Sequence, residues 1–421
     1  MAVIDSKQET KSDPTQLIVG LSLLLVILAA IGGGLWWMLR APKARTVTLS
    51  GEQAKQAPAV VDASASAINF PAPPPLAQAT DPGPTRVSLK LKNVLPQAAV
   101  AEVAKQAGVT IETINSAQGI VAALTSPRVD VAADGKTLWE TLRDICKDGA
   151  LMPQVNYQSP RQIQLVPRPA DVNPNYPTLP VGSCFLALTN VVSTFNADPV
   201  AVAKEPDRQL DVSLTLFAEP KLSVYRISSV ATIETAVDEK GNSLVKPRDP
   251  WEDRGGGGRN SNWMVDVACH LKYPPNVGDR IARLKGYASV IVAGKDQTIA
   301  LKSPLTLKNA DQNVDGQMLR VVGVQKVGPN QYDASFVCSF DSPILKDWDD
   351  FQRVAKLVDR NGKAFQHGGG GWGMNGQKTL QFQVTFMGQG MSEPAELDIT
   401  LPTQVKELRV PFEFTDLPLP H

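Results

Sequence analysis

The longest apolar run in the chain, Leu17–Leu39, carries no charge and ends at Arg40, with Trp36 and Trp37 near its downstream end. At ~1.5 Å rise per residue it matches the ~30 Å hydrocarbon core of a bilayer, and paired Trp suit the headgroup boundary. The rival is a cleaved signal peptide, whose apolar stretch is normally ~7–15 residues and is followed by a small-residue cleavage site. No such site separates Leu39 from Arg40, so the pattern predicts an uncleaved transmembrane helix over 17–39. Residues 1–16 are polar and mixed in charge, and read as a disordered tail. Residues 40–86 are rich in Ala, Pro, Gln and Ser, with PAPPP at Pro71–Pro75. Such a segment buries too little apolar surface to offset chain entropy, and reads as an extended spacer.

From Val87 the pattern changes. Val87, Leu89 and Leu91 alternate with Ser88, Lys90 and Lys92, the signature of a half-buried strand. Pro96 opens a helical run with Val100, Val103, Ala104 and Ala107 on one face, stopped by Gly108. Strands follow at Val109–Ile114 and Arg128–Ala132. A second helix carries Leu138, Leu142, Ile145 and Cys146 and ends near Gly149, and a hairpin of Val155 and Tyr157 with Ile163 and Leu165 closes the unit. The predicted order over 87–167 is βαββαββ.

Two runs in this unit, VSLKLKNVLPQAAVAEVAKQAGVTI and RVDVAADGKTLWETLRDICKDGALMPQVNYQSPRQIQLV, resemble the short N-terminal domains of secretins and TonB-dependent receptors. The resemblance is confined to 87–166 and rests on a hydrophobic rhythm with a Gly after each helix. It implies a periplasmic module of double-membrane bacteria that contacts other proteins or neighbouring copies. It implies no catalytic residues, and neither the secretin pore nor the receptor barrel has a counterpart in this sequence.

After a proline-rich connector (168–182), signatures recur in the same order. Phe185–Val192 echoes Met318–Val324, Leu210–Leu222 echoes Tyr332–Leu345, and AVDEKGNSL at Ala236–Leu244 matches LVDRNGKAF at Leu357–Phe365. Four glycines follow each time, Gly255–Gly258 and Gly368–Gly371, and then alternating strands around Val267, Cys269 and Leu271 or Leu380, Phe382 and Val384. Such collinearity indicates duplication. Short alternating strands with closely spaced turn signals predict one antiparallel sandwich per copy, over 183–307 and 316–417. The expected class is α+β and all-β multidomain: a single transmembrane helix, a βαββαββ module and two tandem antiparallel β-sandwiches.

Composition narrows the function. Lys and Arg number 42, as do Asp and Glu, and no basic patch interleaves with aromatics, which argues against nucleic-acid binding. Cys146, Cys184, Cys269 and Cys338 show no metal spacing and read as small buried hydrophobes. With His270, His367 and His421 the only histidines, a His-based metal site or triad is disfavoured. Around the apolar run, Lys7 and Lys11 precede it while Arg40, Lys43 and Arg45 follow. That count alone places the C-terminal side in the cytoplasm. The resemblance implies the opposite, and the expected location is the inner membrane, single-pass, with the later domains periplasmic.

Candidate chemistry is sparse. Asp238, Glu239 and Asn242, or Asp359 and Asn361, offer oxygens, but neither copy has the alternating ligands and terminal Glu of a calcium loop; a hairpin capped by its own Asp fits better. The glycine runs lack the following helix of a phosphate loop and read as flexible loop tips. Trp251, Trp263 and Trp372 lie close to them, and either close a sandwich core or form a stacking platform for sugar. Asp347, Asp349 and Asp350 read as a solvated loop rather than a glycosidase pair. Ser183 lacks a nucleophile-elbow frame.

These features predict no catalytic, cofactor-binding or metal residues and no cofactor. The expected function is a non-enzymatic protein-interaction or envelope scaffold protein, anchored by Leu17–Leu39, that engages envelope proteins or itself. The alternative is a carbohydrate- or cell-wall-binding protein using Trp251, Trp263 or Trp372. An enzyme with an unrecognised carboxylate site stands third.

Overall fold

The α-helices of this protein begin and end where the local chemistry dictates, as a computed structural model shows for residues 70, 73–114, 127–155, 162–196, 207–247, 263–346, 348–374 and 378–420. After β1 (Ala77–Gln78) and β2 (Arg86–Val94), helix α1 (Pro96–Ala107) starts on Pro96 and stops at Gly108, whose φ of 65° is the left-handed cap geometry. Strands β3 (Ile111–Thr113) and β4 (Val129–Thr137) lead to α2 (Leu138–Asp148). Its first turn is closed by a capping box between Thr137 and Glu140. β5 (Leu151–Val155) and β6 (Ile163–Pro167) complete the unit, in which β2 pairs with β4 while β3, β6 and β5 form a second sheet. Val100, Val103, Leu138, Leu142, Ile145, Ile163 and Leu165 fill the space between.

The first sandwich packs two sheets. One is ordered β12-β9-β8-β7, from β7 (Thr178–Val181), β8 (Cys184–Asn196), β9 (Asp207–Ala218) and β12 (Met264–Lys272). The other is centred on β13 (Arg280–Val292), which pairs with β10 (Val224–Ile227) and β11 (Thr232–Asp238) on one side. β14 (Lys295–Lys302) follows at once but leaves this sandwich.

The second sandwich has a five-stranded sheet, β15-β16-β17-β20-β19, from β15 (Ala310–Val314), β16 (Gln317–Gly328), β17 (Gln331–Ser339), β19 (Gln366–Met374) and β20 (Thr379–Met387). Its facing sheet has three strands, β14-β21-β18, where β18 (Ala355–Asp359) follows the short helix α3 (Trp348–Val354) and β21 is Pro394–Thr403. The last strand, β22 (Lys406–Pro418), returns to the first sandwich and lies between β13 and β1.

The paired sequence signatures fall on corresponding strands: β8 and β16, β9 and β17, β11 and β18, β12 and β20, β13 and β21. The two copies then exchange their last strands. β13 pairs with β22, not with its own successor β14, and β21 pairs with β14. The result is one antiparallel ribbon running through both sandwiches in a single register. Arg280 faces Pro418, Val292 faces Lys406, Lys295 faces Thr403 and Lys302 faces Glu396. At the crossing Gly294 sits against the Gln404 side chain, where a Cβ would lie 2.4 Å from Oε1 and 3.0 Å from Gln404 Cβ, so a larger residue there would have to displace that side chain.

Several expectations are corrected. The described chain is mostly β-strand, with three short α-helices, none long and apolar enough to cross a membrane. The run Leu17–Leu39, the tail 1–16 and the spacer to residue 69 lie outside the described residues. With no such helix among the described residues, the class with a single transmembrane helix and the single-pass inner-membrane location are not supported.

The sandwich bounds 183–307 and 316–417 fail because each copy is closed by the other's last strand. The end of the supposed spacer is packed rather than extended into solvent. Phe70 is buried near the Arg320 guanidinium, β1 pairs in parallel with β22, and buried Glu219 accepts Thr85 N–H at 2.8 Å. Nor is the small module separate. Trp139 of α2 stacks on Trp263, ring centres 5.8 Å apart, and lies 5.2 Å from Phe217, so side chains of the first sandwich complete the module's core, beside the sandwich's own.

Candidate functional site

The three candidate tryptophans part company. Trp251 lies outside the described residues. Trp263 is 1 % exposed and closes the junction between module and sandwich, which removes it as a sugar platform. Trp372 is 41 % exposed and sits on β19, its ring 6.5 Å from that of Phe382.

β19 is the strand that contains Gly368–Gly371, so this glycine run is an edge strand and not a loop tip. Glycine disfavours strands by its own entropy. Here pairing along β20 overrides that preference, with Gly370 opposite Val384 and Trp372 opposite Phe382. Gly369, at φ 128°, carries the bulge that a side chain would strain. Residues opposite one another in an antiparallel pair point to the same face. Trp372 and Met374 therefore share the inner face with buried Phe382 and Leu380. The facing sheet has three strands against five, which leaves Trp372 and Met374 about two-fifths exposed, at 41 % and 40 %. On the outer face, a Cβ at Gly371 or Gly373 would meet nothing within 4 Å.

Natural sheets protect their edges by charge, proline, brevity or cover. Other edges here follow that rule. β14 carries Lys295, Asp296 and Lys302; β7 has four residues including Pro180; β12 is bridged by Val230 and Val245. β15 has five residues and an Asp311–Arg320 ion pair. Among the described residues, β19 is the longest edge strand without a charged or proline residue.

The remaining candidates have structural roles. Asp238 Oδ1 accepts from the backbone N–H of Lys240 and Asn242, and Oδ2 from Gly278 N–H at 2.8 Å. Asp359 does the same with Asn361, Lys363 and Ser392. Burial would raise both carboxyls, but these donors outweigh it and hold each below the ordinary range. In each copy Oδ1 accepts from the turn's own backbone and Oδ2 from a distant loop, Gly278 or Ser392, so both carboxylates are engaged by protein donors and the calcium reading has no geometry behind it.

Asp350 is not in a solvated loop. It is fully buried on α3 and paired with Arg226. Asp347 lies outside the described residues. Ser183 Oγ lies 2.7 Å from Asp81 Oδ1 and ties the chain before β2 to the first sandwich. The four cysteines are free and buried, and burial pushes the Cys146 and Cys184 thiols up to about 12. Among the described residues no group of His, Cys, Asp and Glu has the arrangement to hold a metal ion.

No family model matches this chain, and neither a curated protein nor a solved structure matches it.

Proposed function

We propose that this chain is a non-enzymatic interaction or scaffold protein that docks an extended segment of a partner along β19 by strand addition. The observation that carries this reading is the bare edge itself: nine residues without charge or proline, with Trp372 and Met374 exposed beside it. In strand addition, main-chain hydrogen bonds supply affinity and alternate side chains supply selectivity. The glycines let a partner backbone approach without meeting side chains, while Trp372 and Met374 offer apolar contact for every second partner residue. The βαββαββ order of the module, and its two small sheets, support reading 87–166 as a unit of the secretin and TonB short N-terminal kind.

The test uses peptides selected from a displayed library against the full chain. Selected peptides are expected to slow hydrogen exchange at the amides of 366–374. Their affinity is expected to fall at least about tenfold in Gly371→Lys/Gly373→Lys, since charge is how natural edges are blunted. The space around both positions lets the variant keep its fold. Protection elsewhere, or soluble glycans that shift Trp372 fluorescence while no peptide protects β19, would favour the carbohydrate reading instead.

A further inference from the structure

A second site lies where the small module meets the first sandwich. A cavity of ≈ 140 Å³ opens between α2, the chain at 168–176, and strands β8, β9 and β12. Its lining is apolar, with Cys146, Leu151, Ala187, Phe217 and Met264 among its walls. Thr215, also on the wall, gives its hydroxyl to Asp266 at 2.6 Å, and Thr189 gives its own to Ser213 O at 3.1 Å. Water needs two to four polar partners to be held in such a space. These walls supply few, so an organic occupant suits it better. A dry hole of about 150 Å³ holds benzene, which sets the size of that occupant at one small ring or a branched chain.

The mouth is polar and basic. Arg143, Lys147 and Arg168 stand around it. Arg143 is satisfied by Asp144 at 2.7 Å and Thr178 at 2.9 Å. Arg168 donates only weakly, to Cys146 O at 3.4 Å and Lys147 O at 3.2 Å, the carbonyls at the end of α2. A guanidinium has five donors, so Arg168 keeps capacity for an anion. Lys147 is exposed beside it. Burial raises Tyr176 above the ordinary phenol range and keeps its hydroxyl a donor at the same wall.

We propose that this cavity binds a small organic monocarboxylate, with its ring or branched chain against Phe217 and Met264 and its carboxylate beside Arg168 and Lys147. Apolar walls select the body of the ligand, and the cations at the rim select its charge. The site is independent of β19.

The probe is benzoate, titrated into the full chain by calorimetry and followed at the methyl resonances of Met152 and Met264. Expected is one site with Kd of roughly 0.1–1 mM and movement of both methyls. Benzyl alcohol, which keeps the ring and lacks the charge, is expected to bind about tenfold more weakly. Val172→Phe fills the mouth from a position already 37 % exposed, and is expected to abolish binding. Arg168→Gln is expected to weaken benzoate while leaving benzyl alcohol unchanged. Should that variant fail to fold, Lys147→Gln at the exposed neighbour makes the same comparison. Equal affinity for benzoate and benzyl alcohol, benzoate binding indifferent to both rim and mouth variants, or no saturation by about 10 mM would each overturn the proposal.

Discussion

Arg226 of the first sandwich and Asp350 of the second form an ion pair, Nη1 to Oδ2 at 2.8 Å, with side chains 5 % and 0 % exposed. It sits in a wider contact: Tyr225 donates its hydroxyl to Ile344 O at 3.2 Å, and the Arg353 guanidinium lies 5.0 Å from the Tyr225 ring centre. Breaking a buried pair leaves an uncompensated charge, which costs more than the pair contributes. Asp350→Ala is therefore expected to lose about 3–5 kcal/mol in urea unfolding. Arg226→Met is expected to lose less, because Arg353 still pairs with Asp350. The double variant Arg226→Met/Asp350→Leu should recover much of the loss. Additive single effects would show that the two side chains do not act as a pair.

Asp238 and Asp359 give stability a pH dependence whose sign follows from their partners. Both are held below the ordinary carboxylate value of 3.8 in the fold, as is Asp81, whose burial is outweighed by Ser183. A depressed carboxyl contributes stability above its unfolded value and loses it as pH falls through the folded one. Asp398 runs the other way, raised by burial and by Glu396, but it stands against several lowered groups. Stability is expected to be level near neutrality and to fall below about pH 4, measured by thermal melts across pH. Asp238→Ala should cost about 2–3 kcal/mol at pH 7, the worth of hydrogen bonds to a charged group, and should flatten part of the acid limb. A melt series with no change in that limb would rule out the role assigned to the turn.

The stacked indoles of Trp139 and Trp263 bury two N–H groups without hydrogen-bond partners. An unmade buried bond costs about 1–3 kcal/mol, so part of what the rings contribute by packing is offset. Trp263→Phe keeps an aromatic face against Trp139 and removes one orphan donor. It is expected to cost under about 1 kcal/mol, against about 3–5 kcal/mol for Trp263→Ala. Equal losses in denaturant unfolding would mean that the aromatic face retained by Phe contributes nothing at this junction.

Local pattern carried the elements whose partners are near in sequence. Val87, Leu89 and Leu91 announced a strand, Pro96 and Gly108 bounded a helix, and the Asp-x-x-Gly turns were readable because each closes on itself. What escaped depends on distant pairing. Lys295–Lys302 opens on four polar residues and Lys406–Pro418 alternates from Leu408 to Phe414, yet nothing in either strand says which sandwich it joins. Gly368–Gly371 reads as a loop by propensity, and only β20 makes it a strand. Asp350 looks solvated among neighbouring acids until Arg226, far away along the chain, comes to meet it. Of the three tryptophans, exposure alone separated Trp263 from Trp372, and exposure is a property of the fold.

The exchange of β14 and β22 makes a prediction that two independent sandwiches would not. β22 supplies Leu408, Val410, Phe412 and Phe414 to the core of the first sandwich, and none to the second. A chain ending at Val405 keeps every strand of the second sandwich, including β14 and β21. It is therefore expected to lose hydrogen-exchange protection over β8–β13 while keeping it over β15–β21. The single change Phe412→Ala, at a site 2 % exposed, should act in the same direction and cost about 3–5 kcal/mol. If each copy could close on its own β-strand, the truncated chain would instead unfold its second sandwich, the one to which the missing residues are nearest in sequence. Protection lost there and retained in the first sandwich would refute the shared ribbon.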